Sequence, residues 1–94
     1  MRIDLLLKTL CLARTREIAK RGCDSGSVKV NGAEVKPSRE VREGDVIEIR
    51  YPDRLLVLEL TGIPARQVSK KDRAAHYRII RESPLYGDGE GWSA

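Results

Sequence analysis

Arg2, Lys8, Arg14, Arg16, Lys20 and Arg21 crowd into the first 22 residues against only Asp4 and Glu17, a local charge of +4. Guanidinium groups offer a planar fork of donors that meets a phosphate two bonds at a time, and ammonium groups add point charge. Arg66, Lys70, Lys71, Arg73, Arg78 and Arg81 give residues 66–82 the same +4 against Asp72 and Glu82. Residues 40–60 run the other way, with three basic side chains against six acidic. Two basic blocks around an acidic middle suit a polyanionic partner engaged by one face, with a solvated helix surface as the plainer reading of either block alone.

Bond-breaking chemistry lacks its parts. His76 is the single histidine and has no companion nucleophile or orienting acid, so it reads as a surface residue rather than a general base. Cys11 and Cys23 lack CxxC spacing, and with one histidine they make no zinc site at any usual spacing. Both read as reduced thiols buried on helices. No Gly-rich phosphate loop is present, and the carboxylates of residues 40–59 fall in turns and at alternating strand positions. The expectation is a protein that is not an enzyme, with no catalytic residue, metal or cofactor. No stretch approaches the roughly 18 apolar residues of a membrane span, and no apolar leader opens the chain, so a cytoplasmic location is expected. Phe is absent and aromatics make up 4%. Stacking platforms are short of material, which points to recognition of a nucleic acid by shape and backbone charge.

The elements that must position these side chains follow from periodicity in a 94-residue, one-domain chain. Ile3, Leu6, Leu7 and Leu10 form one helical stripe, and Asp4 stabilises the start of that helix. Thr15 caps a second helix whose apolar face is Ile18, Ala19, Gly22 and Cys23 and whose exposed face carries Arg16 and Lys20. Asp24-Ser25-Gly26 stops it. Asn31-Gly32 predicts a type I′ hairpin with Val28 facing Val35 and Lys29 facing Glu34. Beyond the turn at Gly44-Asp45, Ile47, Ile49 and Tyr51 alternate as a half-buried strand. Residues 55–60 are more uniformly apolar, which predicts a strand covered on both faces or at the centre of the sheet. Ser69-Lys70-Lys71-Asp72 resembles a capping box and predicts a third helix over 70–82, docked by Ala75 and Ile79 and stopped by Pro84. The resulting organisation is a domain over 1–62, a helical extension over 63–82 and a mobile, glycine-rich tail over 83–94.

Arg2-x-Asp4-x-x-Leu7, Thr15-Arg16-x-x-Ala19, Gly26-x-Val28-x-Val30-Asn31-Gly32 and Gly44-Asp45-x-Ile47 stand in order over about residues 1–51. Together they resemble the S4 domain, the αL RNA-binding module. The resemblance implies an α+β fold, two N-terminal helices packed on a small, mostly antiparallel sheet, with its RNA-facing surface on the helices and the adjoining loop. Met1-Arg2-x-Asp4, with Lys70-Lys71-x-x-Ala74-Ala75-x-Tyr77 downstream, is further similar to the stand-alone S4 proteins of ribosome-associated quality control and the related fifteen-kilodalton heat-shock group. That similarity implies binding to large ribosomal subunits carrying a stalled peptidyl-tRNA, through rRNA and tRNA contacts, in support of C-terminal tailing of the nascent chain and beside other quality-control factors. It also assigns roles: Arg2 and Arg16 as leading RNA contacts, Asp4 as the residue that orients them, and Lys8, Arg14 and Lys20 as supporting phosphate contacts. Relatives commonly carry basic residues where this chain has Leu5, Cys11 and Thr15, so its positive face is thinner.

Two other readings stay open. A general rRNA- or tRNA-binding S4 protein is the first alternative, since one fold serves many roles. A β-grasp sulfur carrier or adaptor shares Val-Asn-Gly followed by Gly-Asp-x-Ile, but such carriers end in Gly-Gly and lack a basic two-helix start.

Overall fold

Ile3, Leu6, Leu7 and Leu10, the stripe expected of the first helix, all have zero exposure around α1 (Ile3–Thr9). In the computed structural model, which describes residues 1–64, 68, 72 and 75–84, that stripe covers an antiparallel sheet. Asp4 serves the helix start as expected, its Oδ1 accepting from the Leu5 N–H at 2.7 Å. The helix ends in a Schellman motif: Leu12 N–H donates to Leu7 C=O at 2.8 Å and Cys11 N–H to Lys8 C=O at 3.0 Å. Cys11 therefore sits at φ 60°, a left-handed position that glycine usually fills. Its place past the end of the helix corrects the expectation of a helical, buried residue, because Cys11 is half-exposed.

Helix α2 (Arg16–Asp24) starts at Thr15, whose Oγ1 accepts from Ile18 N–H at 3.1 Å. This cap contributes about 1 kcal/mol. Ala19, Gly22 and Cys23 are buried, and Gly26 ends the turn at φ 79°. A Cβ at Gly26 would lie 3.1 Å from the Glu34 carboxylate, so both backbone and space favour glycine.

The sheet runs β2-β1-β3-β4-β5. Strands β1 (Val28–Val30) and β2 (Ala33–Glu34) form the expected hairpin, with Asn31 and Gly32 both at positive φ and Lys29 opposite Glu34. Val35 lies beyond the paired residues and packs against the core. Strand β3 (Val46–Arg50) pairs with β1, placing Val28 beside Ile49 and Val30 beside Ile47. Strand β4 (Arg54–Leu60) sits between β3 and β5, so the expectation of an inner strand holds. Its burial alternates, however. Leu56, Leu58 and Leu60 point into the core, while Leu55, Val57 and Glu59 are half-buried on the other face.

A side-chain clasp closes the far end of the sheet. Asn31 Oδ1 accepts from Val46 N–H at 2.9 Å, Asn31 Nδ2 donates to Asp45 Oδ1 at 3.2 Å, and Asp45 Oδ2 accepts from Arg42 N–H at 2.9 Å. The Asn-Gly and Gly-Asp signals are thus two halves of one structural device.

The expected third helix over 70–82 is not found where the chain is described. Residues 77–84 form β5 (Tyr77–Pro84), paired antiparallel to β4 from Leu60↔Tyr77 to Arg54↔Pro84. Ile79, expected to dock that helix, instead lies in the strand, where it is 51% exposed and Ile80 is 49% exposed. Tyr77 and the two isoleucines favour extended backbone, and their pairing satisfies the open edge of β4. Pro84 ends a strand rather than a helix. Ser69, Lys70, Lys71, Arg73 and Ala74, and the tail from 85 to 94, lie outside the described residues.

Candidate nucleic-acid interface

The two helix starts converge on one carboxylate. Asp4, in the first turn of α1, has zero exposure, and its oxygens accept from Arg2 Nε and Nη2 at 3.1 Å each and from Arg16 Nε at 3.3 Å. With the Leu5 N–H added, every acceptor direction of the carboxylate is used, which is what a buried charge requires. Arg2 is fixed from behind as well: its backbone forms a β-bridge with Glu40, while Ile3 N–H donates to Arg39 C=O at 2.8 Å.

This pairing aims the arginines without using them up. Their side chains stay 40% and 43% exposed, and the three groups together carry one net positive charge. Arg2 spends two of its five N–H donors on Asp4 and Arg16 spends one, so both forks keep donors for a ligand. Two guanidinium groups held on one carboxylate have the chemistry to take phosphate oxygens, with little side-chain freedom left to lose on binding.

The other expected contacts spread from this point. Lys20 is one turn along α2 from Arg16 and half-buried, and Lys8 is exposed one turn along α1 from Asp4. Arg14, exposed in the connection between the helices, lies on the wall of a separate cleft. The structure thus brings Arg2, Asp4 and Arg16 into direct contact, continues along the same two helices with Lys20 and Lys8, and directs Arg14 elsewhere.

Cys23 is a free thiol on the buried face of α2. Burial pushes its thiol from 9.0 up to about 12, and the Asp4 and Asp24 carboxylates add to the rise. His76 is half-buried at the bend before β5, its C=O accepting from the Thr61 and Gly62 N–H groups. Among the described residues no cluster of His, Cys, Asp or Glu could hold a metal ion, and no helix is long and apolar enough to cross a membrane.

A second fixed arginine was not legible in the sequence. Arg54 lies over the Tyr51 ring, 4.2 Å from its centroid, and bonds Asp53 at 3.3 Å and Glu82 at 3.2 Å. Tyr51-Pro52-Asp53-Arg54 reads only as a strand break, and the carboxylate of Glu82 reaches Arg54 only because β5 is a strand.

Residues 1–47 match the S4 domain. The chain is 34% identical over 85 residues to the "RQC P-site tRNA stabilizing factor" of Halalkalibacterium halodurans, covering 90% of this chain and 96% of that one. It is 33% identical over 86 residues to the protein of the same name from Bacillus subtilis, covering 90% and 98%. Among solved structures, the trimeric Heat Shock Protein 15 of Vibrio cholerae superposes with a TM-score of 0.79 at 26% identity, covering 84% of this chain and 80% of that one.

Proposed function

The chain belongs to the S4-domain family of RQC P-site tRNA stabilizing factors, and we propose on that footing that it is an RNA-binding, non-catalytic factor of ribosome-associated quality control. It binds large ribosomal subunits that retain a stalled peptidyl-tRNA, contacts ribosomal RNA and the tRNA together, and steadies the tRNA while C-terminal residues are added to the nascent chain. It works in the cytoplasm, where translation stalls. Arg2 and Arg16 make the leading phosphate contacts, Asp4 aims them, Lys8 and Lys20 extend the basic surface along the two helices, and Arg14 adds a supporting contact beside the separate cleft.

The observation that carries this reading is the buried Asp4 carboxylate bonded to two half-exposed guanidinium groups. A carboxylate fully spent on orienting arginines is a poor general base, and an aimed pair of forks is a good phosphate clamp. Crosslinking in an extract with stalled translation tests it. Recovery of peptidyl-tRNA together with large-subunit RNA is the expected result; small-subunit RNA or free tRNA alone would instead mark a general RNA binder and overturn the quality-control role.

A further inference from the structure

Between the connection of the two helices, the turn from β3 to β4 and the inner part of β5 lies a cleft of about 550 Å³. That is within the roughly 300–1,000 Å³ of small-molecule sites. Leu12, Tyr51, Tyr77 and Ile79 give it apolar lining, and Arg14, Arg54, Asp53 and Glu82 stand on its walls. Tyr51 is locked in place by its Oη, which donates to Leu12 C=O at 2.6 Å.

Arg54 is held as a plane. Its Cζ lies over the Tyr51 ring, Nη1 donates to Asp53 and Nε pairs with Glu82, while the side chain remains 40% exposed. Arg54 lines the cleft, so part of its guanidinium is open there. Arg54 with Asp53 and Glu82 carries one net negative charge, so the positive charge offered to a ligand comes from Arg14, which has no ion pair among the described residues. A fixed guanidinium plane stacks on nucleobases as an aromatic ring does.

We propose that this cleft is a second RNA site that takes one unpaired nucleotide, its base stacked on Arg54 and its phosphate on Arg14. The proposal rests on the RNA-binding reading above and extends it. Arg14 and Arg16 are two residues apart, so their Cα atoms lie within about 7 Å. One RNA strand can therefore run from the Arg2–Arg16 grip past Arg14 into the cleft. Recognition by stacking accepts any base, because every base has a π-face.

AMP and inorganic phosphate, each titrated into the full chain, test this through the arginine Nε–H signals in NMR spectra. AMP is expected to shift Arg54 and Arg14 together, and phosphate to shift Arg14 without Arg54. Arg54→Ala and Arg54→Lys should both weaken AMP binding by about tenfold, the worth of one stacked base; the lysine keeps the charge and loses the plane. Arg42→Ala, which removes a charge elsewhere, should leave AMP affinity within about twofold. Unchanged AMP affinity in a folded Arg54→Lys, or phosphate alone reproducing every shift, overturns the proposal. Co-sedimentation with large subunits separates it from the ribosomal reading. AMP on Arg54 without subunit binding leaves the cleft standing and removes the ribosomal role, whereas subunit binding with no AMP on Arg54 removes the cleft alone.

Discussion

Arg16 Nε donates to Asp4 Oδ2 at 3.3 Å, tying the first residue of one helix to the buried first turn of the other. The bond is a structural tie and, on the proposed function, an aiming device, and substitution at its two ends separates those roles. Asp4 serves four donors in the interior, so its loss should be felt by the fold; Arg16 is 43% exposed, so on the proposed function its loss should be felt in RNA binding.

Asp4→Asn should therefore destabilise the protein by about 2–3 kcal/mol, since an amide cannot accept from all four donors and its own N–H₂ faces guanidinium groups. For a domain of this size the melting midpoint falls by roughly 10 °C or more. Thermal unfolding followed by circular dichroism measures it. A midpoint within about 2 °C of wild type would mean that the two arginines are held by something other than the carboxylate.

Cys11 occupies a left-handed position, and two substitutions isolate what that costs. Cys11→Ala and Cys11→Gly both delete the thiol and its interactions, but only glycine relaxes φ 60°. Cys11→Gly should be the more stable of the two by about 1 kcal/mol, the reverse of the usual order for a helix or strand interior. Denaturant midpoints of the pair decide it; alanine at least as stable as glycine would contradict the strained cap.

The thiol of Cys23 makes stability depend on alkaline pH. Its value rises from 9.0 in the ordinary state to about 12 in the fold, so the folded protein holds this proton more tightly than the unfolded chain. The resulting stabilisation is complete below pH 9 and is lost as the pH climbs through about 12. Within that window the contribution falls by about 1.4 kcal/mol per pH unit. Urea midpoints should hold near neutrality and drop above pH 9, and Cys23→Ala should flatten the drop. An alkaline limb equally steep in Cys23→Ala would assign it to other groups.

Asp45→Ala tests whether the Asn-Gly and Gly-Asp signals are structural. Removing bonds to Asn31 and to the Arg42 N–H should cost about 1–2 kcal/mol while leaving RNA affinity of the folded protein unchanged. Weaker RNA binding by a fully folded variant would give this end of the sheet a binding role.

Local chemistry made the first fifty residues legible. Thr15 caps, Asn31-Gly32 turns and the Ile3–Leu10 stripe packs because each is decided by neighbours in sequence. The motif pair shared with β-grasp carriers is explained by the Asn31–Asp45 clasp, a turn device that unrelated sheets can both use. Residues 77–84 carry a marginal helical pattern, but their state is decided by β4, more than fifteen residues away, whose open edge outweighs that pattern. The cleft is hidden from the sequence for the same reason: Glu82 meets Arg54 only across the β4–β5 pair. Of the expected site residues, the Arg2–Asp4–Arg16 cluster was legible through resemblance, but the full burial of Asp4 was not, since a carboxylate in a first helical turn is ordinarily solvated.

The most direct measurement is the salt dependence of large-subunit binding for wild type and Arg16→Ala, with melting midpoints taken in parallel. Arg2 and Leu5 still hold Asp4 in this variant, so its stability should change by no more than about 1 kcal/mol. Binding should weaken at every salt concentration, and the log–log salt slope should shrink by about 0.7–0.9 for each phosphate the variant no longer grips. Equal affinity and an equal slope in a folded Arg16→Ala would contradict a phosphate grip built on Asp4.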